Sequence, residues 1–357
     1  MKQVLIAGAS GLVGRGAIRA YANDPGREVI ATSRRPPEGI DGARFVAADL
    51  FDADACRRVF SNMRDVTHLV FTALYEKDGG LLASWLDPEQ IEGNAAMLRN
   101  LFEPLSAAAK NLKHVTLLQG TKAYGAHVRP IPVPAREDRD ELKSQPNFYW
   151  NQEDYLRSKQ KGAAWTFSII RPQVIFGDAI GAAMNPVAAI GAYGAILKER
   201  GEPLHYPGGI PNVFEGVDAD LVGRAIRWAG ESDAAQNQAF NITNGDVMVW
   251  RNVWPAIADA LGMAMGEDRP AALRDLPSGE WDSIVRKYDL VAPDLATFTG
   301  KSLDYMDLLM AGDRLRMPPL VSTVKLRQAG FREMLDSETM LRGAIAAMQK
   351  RRLLPPL

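Results

Sequence analysis

Two short segments of the sequence carry residues that could act together on a carbonyl group. Asn147-Phe148-Tyr149 stands at the predicted start of a helix, and Gly120-Thr121-Lys122 follows an apolar strand. A phenol can donate a hydrogen bond to an oxygen on which negative charge develops, and a lysine supplies a cation beside it. In a chain that begins with a glycine-rich turn, Tyr149 and Lys122 together indicate hydride transfer to a carbonyl-bearing substrate.

The glycine-rich turn is Gly8-Ala9-Ser10-Gly11-Leu12-Val13-Gly14, between a predicted strand and a predicted helix. Glycines let the backbone approach a pyrophosphate closely, and the helix N-terminus offers free N–H groups to it. The motif predicts a dinucleotide site. Its expected contacts are Gly8, Ser10, Gly11, Leu12, Val13 and Gly14.

The end of the second predicted strand, Ser33-Arg34-Arg35, indicates which dinucleotide binds. An NAD site usually has an acidic residue here for the ribose hydroxyls, whereas arginine suits a 2′-phosphate. We therefore expect NADP(H). Asp49 and Leu50 follow the third strand, where a side chain could bond the adenine amino group. Thr72 and Ala73 follow the fourth strand and should line the nicotinamide-side ribose.

A second tyrosine–lysine pair competes with the first. Tyr155 and Lys159 form a Tyr-x-x-x-Lys pattern on the helix that Tyr149 begins. Six residues turn a helix by roughly 240°, so the two phenols cannot both face one cofactor. Tyr155 also leaves too little chain before the next strand ends at Arg171. We assign the catalytic phenol to Tyr149, although Glu153, four residues later, cannot replace a lysine, and we expect Tyr155 and Lys159 to be an exposed helix pair.

These motifs resemble the extended short-chain dehydrogenase/reductase superfamily over almost the whole chain, and within it the progesterone 5β-reductase/iridoid synthase-like family. That family carries a lysine in a Gly-Thr-Lys segment after the fifth strand and a tyrosine in an Asn-Phe-Tyr-Tyr-x-x-Glu-Asp segment. Here these segments are residues 120–122 and 147–154. Trp150 replaces the commoner second tyrosine, so Tyr149 is the one hydroxyl left there. Residues 171–177 and 240–246 continue the similarity.

The resemblance implies NADPH-dependent reduction of the C=C bond of an α,β-unsaturated ketone or aldehyde. Hydride then adds to the β-carbon while Tyr149 donates a hydrogen bond to the carbonyl oxygen. Lys122 should lower the pKa of Tyr149 and hold the nicotinamide ribose, and Val174 should complete the cofactor contacts. The expected substrate is a small, apolar enone or enal. Related proteins are often dimers, but no patch in this sequence decides between a monomer and a homodimer.

The elements that position these residues follow from hydrophobic patterning. Short apolar runs alternate with helix-period segments, which predicts parallel strands with crossover helices. The fold class is therefore α/β, a Rossmann-type doubly wound parallel sheet with a smaller, mostly helical C-terminal substrate lobe. Strands are predicted at 4–7, 28–32, 44–47, 68–72, 115–119 and 166–171, and helices at 13–21, 54–60, 87–111 and 150–161.

The predicted domains are an NADP(H)-binding domain at 1–177 and a substrate lobe at 178–357. Segments near 213–218 and 239–243 are expected to return to the sheet. Within the lobe we predict helices at 187–200, 250–261, 278–288 and 337–350, and a loop at 205–212. Candidate apolar wall residues, which at helical spacing are more often core, are Met184, Tyr193, Phe298, Tyr305 and Met306.

Composition excludes several classes of function. The chain has 357 residues, of which 46% are hydrophobic and 24% charged, and its net charge of −1 argues against nucleic-acid or anionic-membrane binding. The single cysteine, Cys56, excludes an internal disulfide, and the four scattered histidines predict no metal site. No apolar run approaches the roughly 20 residues of a membrane helix, and the chain starts directly with a strand. We therefore expect a cytoplasmic protein.

Two alternatives stay open at this point. The chain could be a carbonyl reductase or a sugar-nucleotide epimerase or dehydratase that works through Tyr155 and Lys159. It could also be a non-catalytic, NADP(H)-sensing binding protein.

Overall fold

The computed structural model describes residues 2–39, 41–77, 83–310, 312 and 317–357. The chain divides into two compact units, each made of three separate segments. The first unit comprises Met1–Gln173, Ala219–Ile242 and Val321–Glu333. The second comprises Val174–Asp218, Thr243–Leu320 and Met334–Leu357.

The strands are short, as is usual in α/β proteins. In chain order they are β1 (Lys2–Ala7), β2 (Arg27–Ser33), β3 (Ala43–Ala47), β4 (Val66–Phe71), β5 (His114–Leu118), β6 (Thr166–Pro172), β7 (Val174–Phe176), β8 (Leu204–Tyr206), β9 (Val213–Phe214), β10 (Gly216–Asp218), β11 (Gln238–Ile242), β12 (Met248–Val249) and β13 (Met265–Asp268).

The α-helices alternate with these strands. They are α1 (Leu12–Ala22), α2 (Ala53–Phe60), α3 (Pro88–Ala108), α4 (Phe148–Gln160), α5 (Pro186–Glu199), α6 (Ala219–Glu231), α7 (Trp250–Ala260), α8 (Ser278–Lys287), α9 (Leu295–Thr299), α10 (Ser302–Met310), α11 (Val324–Gln328) and α12 (Ser337–Lys350). Short 3₁₀ turns lie at Ala83–Leu86, Thr121–Tyr124, Asp233–Ala235 and Leu273–Asp275.

The first unit is built on a seven-stranded sheet in the order β3-β2-β1-β4-β5-β6-β11. All neighbouring strands in it run parallel. The strand order reverses direction between β1 and β4, and in such sheets ligands bind beyond the carboxyl ends of the strands at this point. The central strands are continuous apolar runs because helices cover both faces, and all six residues of β4 are buried.

Helices α1 and α6 pack unusually closely within the first unit. A Cβ on Gly16 would overlap with the main-chain oxygen of Ala219, and a Cβ on Gly223 would overlap with that of Gly16. Only glycine at these two positions allows the backbones to touch. Residues 219–231 thereby belong to the first unit, although residues 174–218 before them belong to the second.

The second unit is mostly helical and has its own core. Helices α5, α7, α8 and α12 surround large aromatic side chains that are fully or nearly fully buried, namely Trp250, Trp254, Trp281 and Phe298. Its strands form three two-stranded sheets, β10 with β7, β12 with β9 and β13 with β8.

The structure confirms the α/β fold class and all six predicted strands of the first unit to within two residues at each end. The predicted segment near 239–243 joins the sheet as β11. The segment near 213–218 does not, because β9 pairs with β12 and β10 pairs with β7 in separate sheets. The loop expected at 205–212 begins inside β8. Helix α6 was not predicted, and it lies in the first unit together with β11.

The contact between α1 and α6 makes a stability prediction. Replacing Gly16 or Gly223 by alanine should lower the free energy of unfolding by about 3 kcal/mol, because backbone has to move to admit the methyl group. On Gly343 in α12 a Cβ would meet no described atom within 4 Å beyond the backbone of its own helix, so Gly343→Ala should instead stabilise by about 0.5–1 kcal/mol. Guanidinium denaturation followed by circular dichroism measures both. Equal effects at the buried and open positions would contradict the prediction.

Candidate active site

The glycine-rich turn brings the ends of β1 and β4 together. Gly8 has a φ of +84°, and a Cβ there would lie 2.6 Å from the main-chain nitrogen of Ala73. A Cβ on Gly14 would overlap with the Gly8 oxygen. The hydroxyl of Thr72 donates to the Ala7 oxygen at 2.8 Å. These contacts place Thr72 and Ala73 directly beside the turn.

The start of α1 fits a bound pyrophosphate. Its N-cap, Gly11, makes no side-chain capping bond, and no acidic residue lies in the first helical turn. The nearest atom to a Cβ on Gly11 would be the Gly8 oxygen at 3.4 Å, so the turn has open space at this residue. Ser10 and Gly11 are exposed, whereas the side chain of Val13 is buried in the core. The main chain, rather than the Val13 side chain, is therefore available to a ligand.

The end of β2 presents positive charge. Arg34 and Arg35 are exposed, and in the part of the chain that the structure describes neither side chain has a hydrogen-bond or ion-pair partner. The Ser33 hydroxyl donates to the Arg35 oxygen, and Nη1 of Arg15 donates to the Glu38 oxygen at 2.7 Å. These bonds order the segment that carries the two guanidinium groups.

The end of β3 carries the residues predicted near the adenine. Asp49 is exposed, and its Oδ1 accepts from the Phe51 nitrogen at 3.0 Å. Leu50 is buried. Asp49 can therefore offer its other carboxylate oxygen, while Leu50 contributes mainly to packing.

Asn147 joins the two segments that carry the candidate catalytic residues. As the N-cap of α4, its Oδ1 accepts from the Tyr149 nitrogen at 3.0 Å. Its Nδ2 donates to the main-chain oxygen of Lys122 at 3.2 Å, which Gln145 also contacts at 2.9 Å. One side chain thus ties the backbone of Tyr149 to the backbone of Lys122.

Trp85 forms the surface on which both candidate catalytic side chains lie. The Lys122 ammonium is 4.0 Å from the centroid of the Trp85 ring, and the Tyr149 ring packs edge-on at 5.5 Å. The Trp85 indole donates to Glu76 at 3.2 Å. Burial lowers the pKa of Lys122 to about 8, an effect that the Glu76 carboxylate opposes. Sequence reasoning missed Trp85 and Glu76, whose places follow only from the folded chain.

The phenol of Tyr149 is held protonated. Burial raises its pKa, the Glu76 carboxylate raises it further, and the Arg171 guanidinium opposes the shift. Burial is the largest of these effects, so the net pKa is raised, and a lowering contribution from Lys122 stays a prediction. A protonated phenol is a hydrogen-bond donor across the neutral pH range.

Gly120 leaves the space into which the Tyr149 hydroxyl fits. A Cβ at Gly120 would lie 3.3 Å from that oxygen and 3.5 Å from the Pro172 oxygen. A side chain at this position would press against the phenol, so glycine lets the Tyr149 hydroxyl lie close to the backbone.

The rival pair lies elsewhere on α4. Tyr155 packs edge-on against Phe102 of α3 at 6.0 Å, and its hydroxyl donates to Glu103 at 3.4 Å. The Lys159 ammonium also pairs with Glu103, at 3.6 Å. Both side chains therefore contact α3 rather than Trp85.

A cavity of about 460 Å³ lies at the end of the sheet away from the glycine-rich turn. It is lined by residues at the amino ends of β1, β4 and β5, including Lys2, His68 and His114. Burial lowers the pKa of His68 to about 4 and that of His114 to about 3, so both are neutral at pH 7.

Within the described ranges no group of three or more His, Cys, Asp or Glu residues could hold a metal ion. Helices long and apolar enough to cross a membrane are likewise absent from these ranges.

The remaining sequence candidates belong to the second unit. Val174 begins β7 and is buried, and its predicted cofactor contact stays a prediction. Tyr193, Phe298 and Met306 lie in the apolar core, where Phe298 stacks on Trp281 at 4.8 Å. These three side chains pack inside the unit, as apolar residues at helical spacing usually do.

The chain resembles both a protein family and individual proteins of known activity. Residues 4–242 match the NAD dependent epimerase/dehydratase family. An (S)-8-oxocitronellyl enol synthase of Antirrhinum majus is 32% identical over 323 residues, which cover 82% of this chain and 80% of the relative. A 3-oxo-Delta(4,5)-steroid 5-beta-reductase of Arabidopsis thaliana is 31% identical over 309 residues, covering 80% and 77%. The chain belongs to the progesterone 5β-reductase/iridoid synthase-like family.

As a member of this family the chain is an oxidoreductase of the extended short-chain dehydrogenase/reductase superfamily. Solved structures agree on the fold. The UDP-glucose 4-epimerase of Thermus thermophilus, in a complex with NAD, superposes with a TM-score of 0.67 at 19% identity, over 97% of this chain and 99% of the epimerase.

The contacts of Asn147 lead to a prediction about stability and turnover. Asn147→Ala removes the helix cap and the tether to Lys122, so we expect the free energy of unfolding to fall by about 1–2 kcal/mol. We also expect turnover to fall in the folded enzyme. Asp336→Ala removes another N-cap, which accepts from the Thr339 nitrogen at the start of α12. This control should lose similar stability and keep its turnover. Thermal unfolding and steady-state kinetics measure the two effects, and equal turnover in both variants would contradict the tether.

Proposed function

We propose that the protein is an NADPH-dependent reductase of the C=C bond of small, apolar enones or enals. The observation that carries the proposal is the convergence of Tyr149 and Lys122 on Trp85, next to Gly120 after β5. The Arabidopsis relative supports it, because its name describes a 3-oxo steroid with a conjugated double bond.

Tyr149 supplies the stabilisation that the reaction needs. NADPH, when bound, supplies the hydride that adds to the β-carbon of the substrate. The π electrons of the C=C bond then move toward the carbonyl, and negative charge develops on its oxygen. The protonated phenol donates a hydrogen bond to that oxygen, in a site from which water is largely excluded. A solvent proton on the α-carbon completes the saturated product.

Lys122 supports the phenol and the cofactor. With a pKa of about 8 it is mostly protonated at pH 7, so it offers a positive charge and several N–H donors next to Trp85. These donors suit the hydroxyls of the nicotinamide ribose.

The choice of NADP(H) over NAD(H) rests on Arg34 and Arg35. Their guanidinium groups stand at the end of β2, where a 2′-phosphate requires positive charge. The family name refers to NAD, but an acidic residue for the ribose hydroxyls is missing from Ser33-Arg34-Arg35. The glycine turn suits either dinucleotide.

The two alternatives have less support. A carbonyl reductase or epimerase that used Tyr155 and Lys159 would need them near the glycine turn, whereas Glu103 on α3 holds both. A non-catalytic binding protein would have no need for a buried phenol and a buried ammonium on one aromatic surface.

The tyrosines make the decisive prediction. Tyr149→Phe removes the proposed hydrogen-bond donor to the carbonyl oxygen and should lower kcat by about 10²–10³-fold. Tyr155→Phe is the matched control on the same helix and should retain activity within about threefold. Oxidation of NADPH with a simple cyclic enone, with product analysis for C=C against C=O reduction, measures both. Activity that survived in Tyr149→Phe and vanished in Tyr155→Phe would reverse the assignment.

The cofactor preference is tested separately. In Arg34→Ala/Arg35→Ala we expect the KM for NADPH to rise by at least about tenfold, because charge-assisted hydrogen bonds to the 2′-phosphate are lost. The KM for NADH should change little, since it lacks that phosphate. Arg44→Ala on β3, whose partner is Glu28, is the control for a lost surface charge. Equal loss with both cofactors would argue against 2′-phosphate recognition.

A further inference from the structure

A buried polar cluster lies beneath the first turns of α4. It consists of Gln119 after β5, Glu153 on α4 and Arg171 on β6, and each side chain is at least 97% buried. Arg171 Nε donates to Gln119 Oε1 at 2.8 Å. Gln119 Nε2 donates to Glu153 Oε2 at 3.1 Å and to the main-chain oxygen of Tyr149 at 3.3 Å. The cluster therefore contacts Tyr149 through its backbone.

The partners of Gln119 allow only one orientation of its amide. A guanidinium group only donates hydrogen bonds, and a carboxylate only accepts them. If the amide were flipped, its NH₂ would face Arg171 and its oxygen would face Glu153. The ion pair thus fixes the direction of the N–H group that reaches Tyr149.

The charges of the cluster are mutually dependent. Arg171 Nη2 lies 2.6 Å from Glu141 and 3.5 Å from Glu153. Glu153 Oε1 also pairs with Arg157 at 2.8 Å. Removing one member of such a buried set leaves an uncompensated charge, which costs more than the pair itself contributes.

Glu153 occupies the position at which Tyr-x-x-x-Lys enzymes carry their lysine, four residues after the tyrosine. In this chain the side chain points toward Arg171 and Gln119, inside the protein. A lysine in the same place would set an ammonium against a buried guanidinium. The charge pattern of this cluster is therefore the reverse of the one that the Tyr-x-x-x-Lys pattern requires.

We propose that Gln119, Glu153 and Arg171 are positioning residues for Tyr149. Through the Tyr149 main-chain oxygen they fix the first turn of α4, and through the balance of Arg171 by Glu153 they set the electric field at the phenol. The inference rests on the proposed role of Tyr149 as the donor to the substrate oxygen.

The first test removes the contact to the Tyr149 backbone. Gln119→Met keeps the side-chain length and loses every polar contact. We expect kcat to fall by at least about tenfold, because small misplacement of a catalytic group is costly. The KM values for enone and NADPH should stay within about threefold. Glu103→Gln on α3 is the control and should leave kcat unchanged.

The second test measures how the cluster affects the ionisation of the Tyr149 phenol, and it does not require catalytic activity. Glu153→Gln removes one of the carboxylates that balance the charge of Arg171 and leaves Glu141 at 2.6 Å, so the Tyr149 phenol should ionise at lower pH than in the unmodified protein. Tyrosinate absorbance near 295 nm is titrated in each protein and in its Tyr149→Phe counterpart, and the difference isolates Tyr149.

The double variant Gln119→Met/Glu153→Gln should lose no more kcat than the more impaired single variant, within about threefold, because both residues act through one cluster.

The outcomes separate this inference from the proposed function. Unchanged kcat in Gln119→Met, or an unshifted Tyr149 titration in Glu153→Gln, would overturn the positioning role. Multiplicative losses in the double variant would also overturn it. If the unmodified protein reduces no enone, the proposed function fails, and the titration of Tyr149 still decides whether the cluster acts on the phenol.

Discussion

The burial of one positive charge, the guanidinium of Arg171, constrains the segments that surround the carboxyl ends of β5 and β6. A charge without water needs hydrogen bonds and opposite charge around it. Arg171 obtains them from Gln119 after β5, from Glu153 on α4 and from Glu141 in the segment before α4. Since these partners come from separate parts of the chain, satisfying Arg171 brings them together, and the segments that carry Lys122 and Tyr149 are brought with them.

The sequence sufficed for the sheet because parallel strands are apolar on both faces and turns interrupt them clearly. The sequence did not suffice where one strand pattern is compatible with pairing in either of two sheets. Residues 216–218 read as a strand and form one, but their partner is β7, and no local signal distinguishes that partner from the main sheet. Helix α6 was missed because the reason for its place is its close contact with α1, through two glycines that lie far apart in the chain, Gly16 and Gly223. Such pairings depend on tertiary structure alone.

At the site, the residue types and spacing pointed to Tyr149 and Lys122, and the structure gives both a common neighbour in Trp85. The contact of Trp85 with these two residues could not be predicted from the sequence, because an aromatic residue ahead of a helix is common. The net rise of the Tyr149 pKa was not predicted either. A sequence reveals that a lysine is near a tyrosine, but it does not reveal how much water is removed from both.

The segmented first unit has a consequence for how the protein is made. A ribosome releases β6 long before β11, and the whole of 174–218, with α6, comes out between them. Until Gln238 has been synthesised, the outer edge of β6 carries unpaired N–H and C=O groups that later bond to β11. Exposed strand edges of this kind invite pairing with other chains. The nascent chain therefore passes through a stage in which β6 is an exposed edge strand of the sheet.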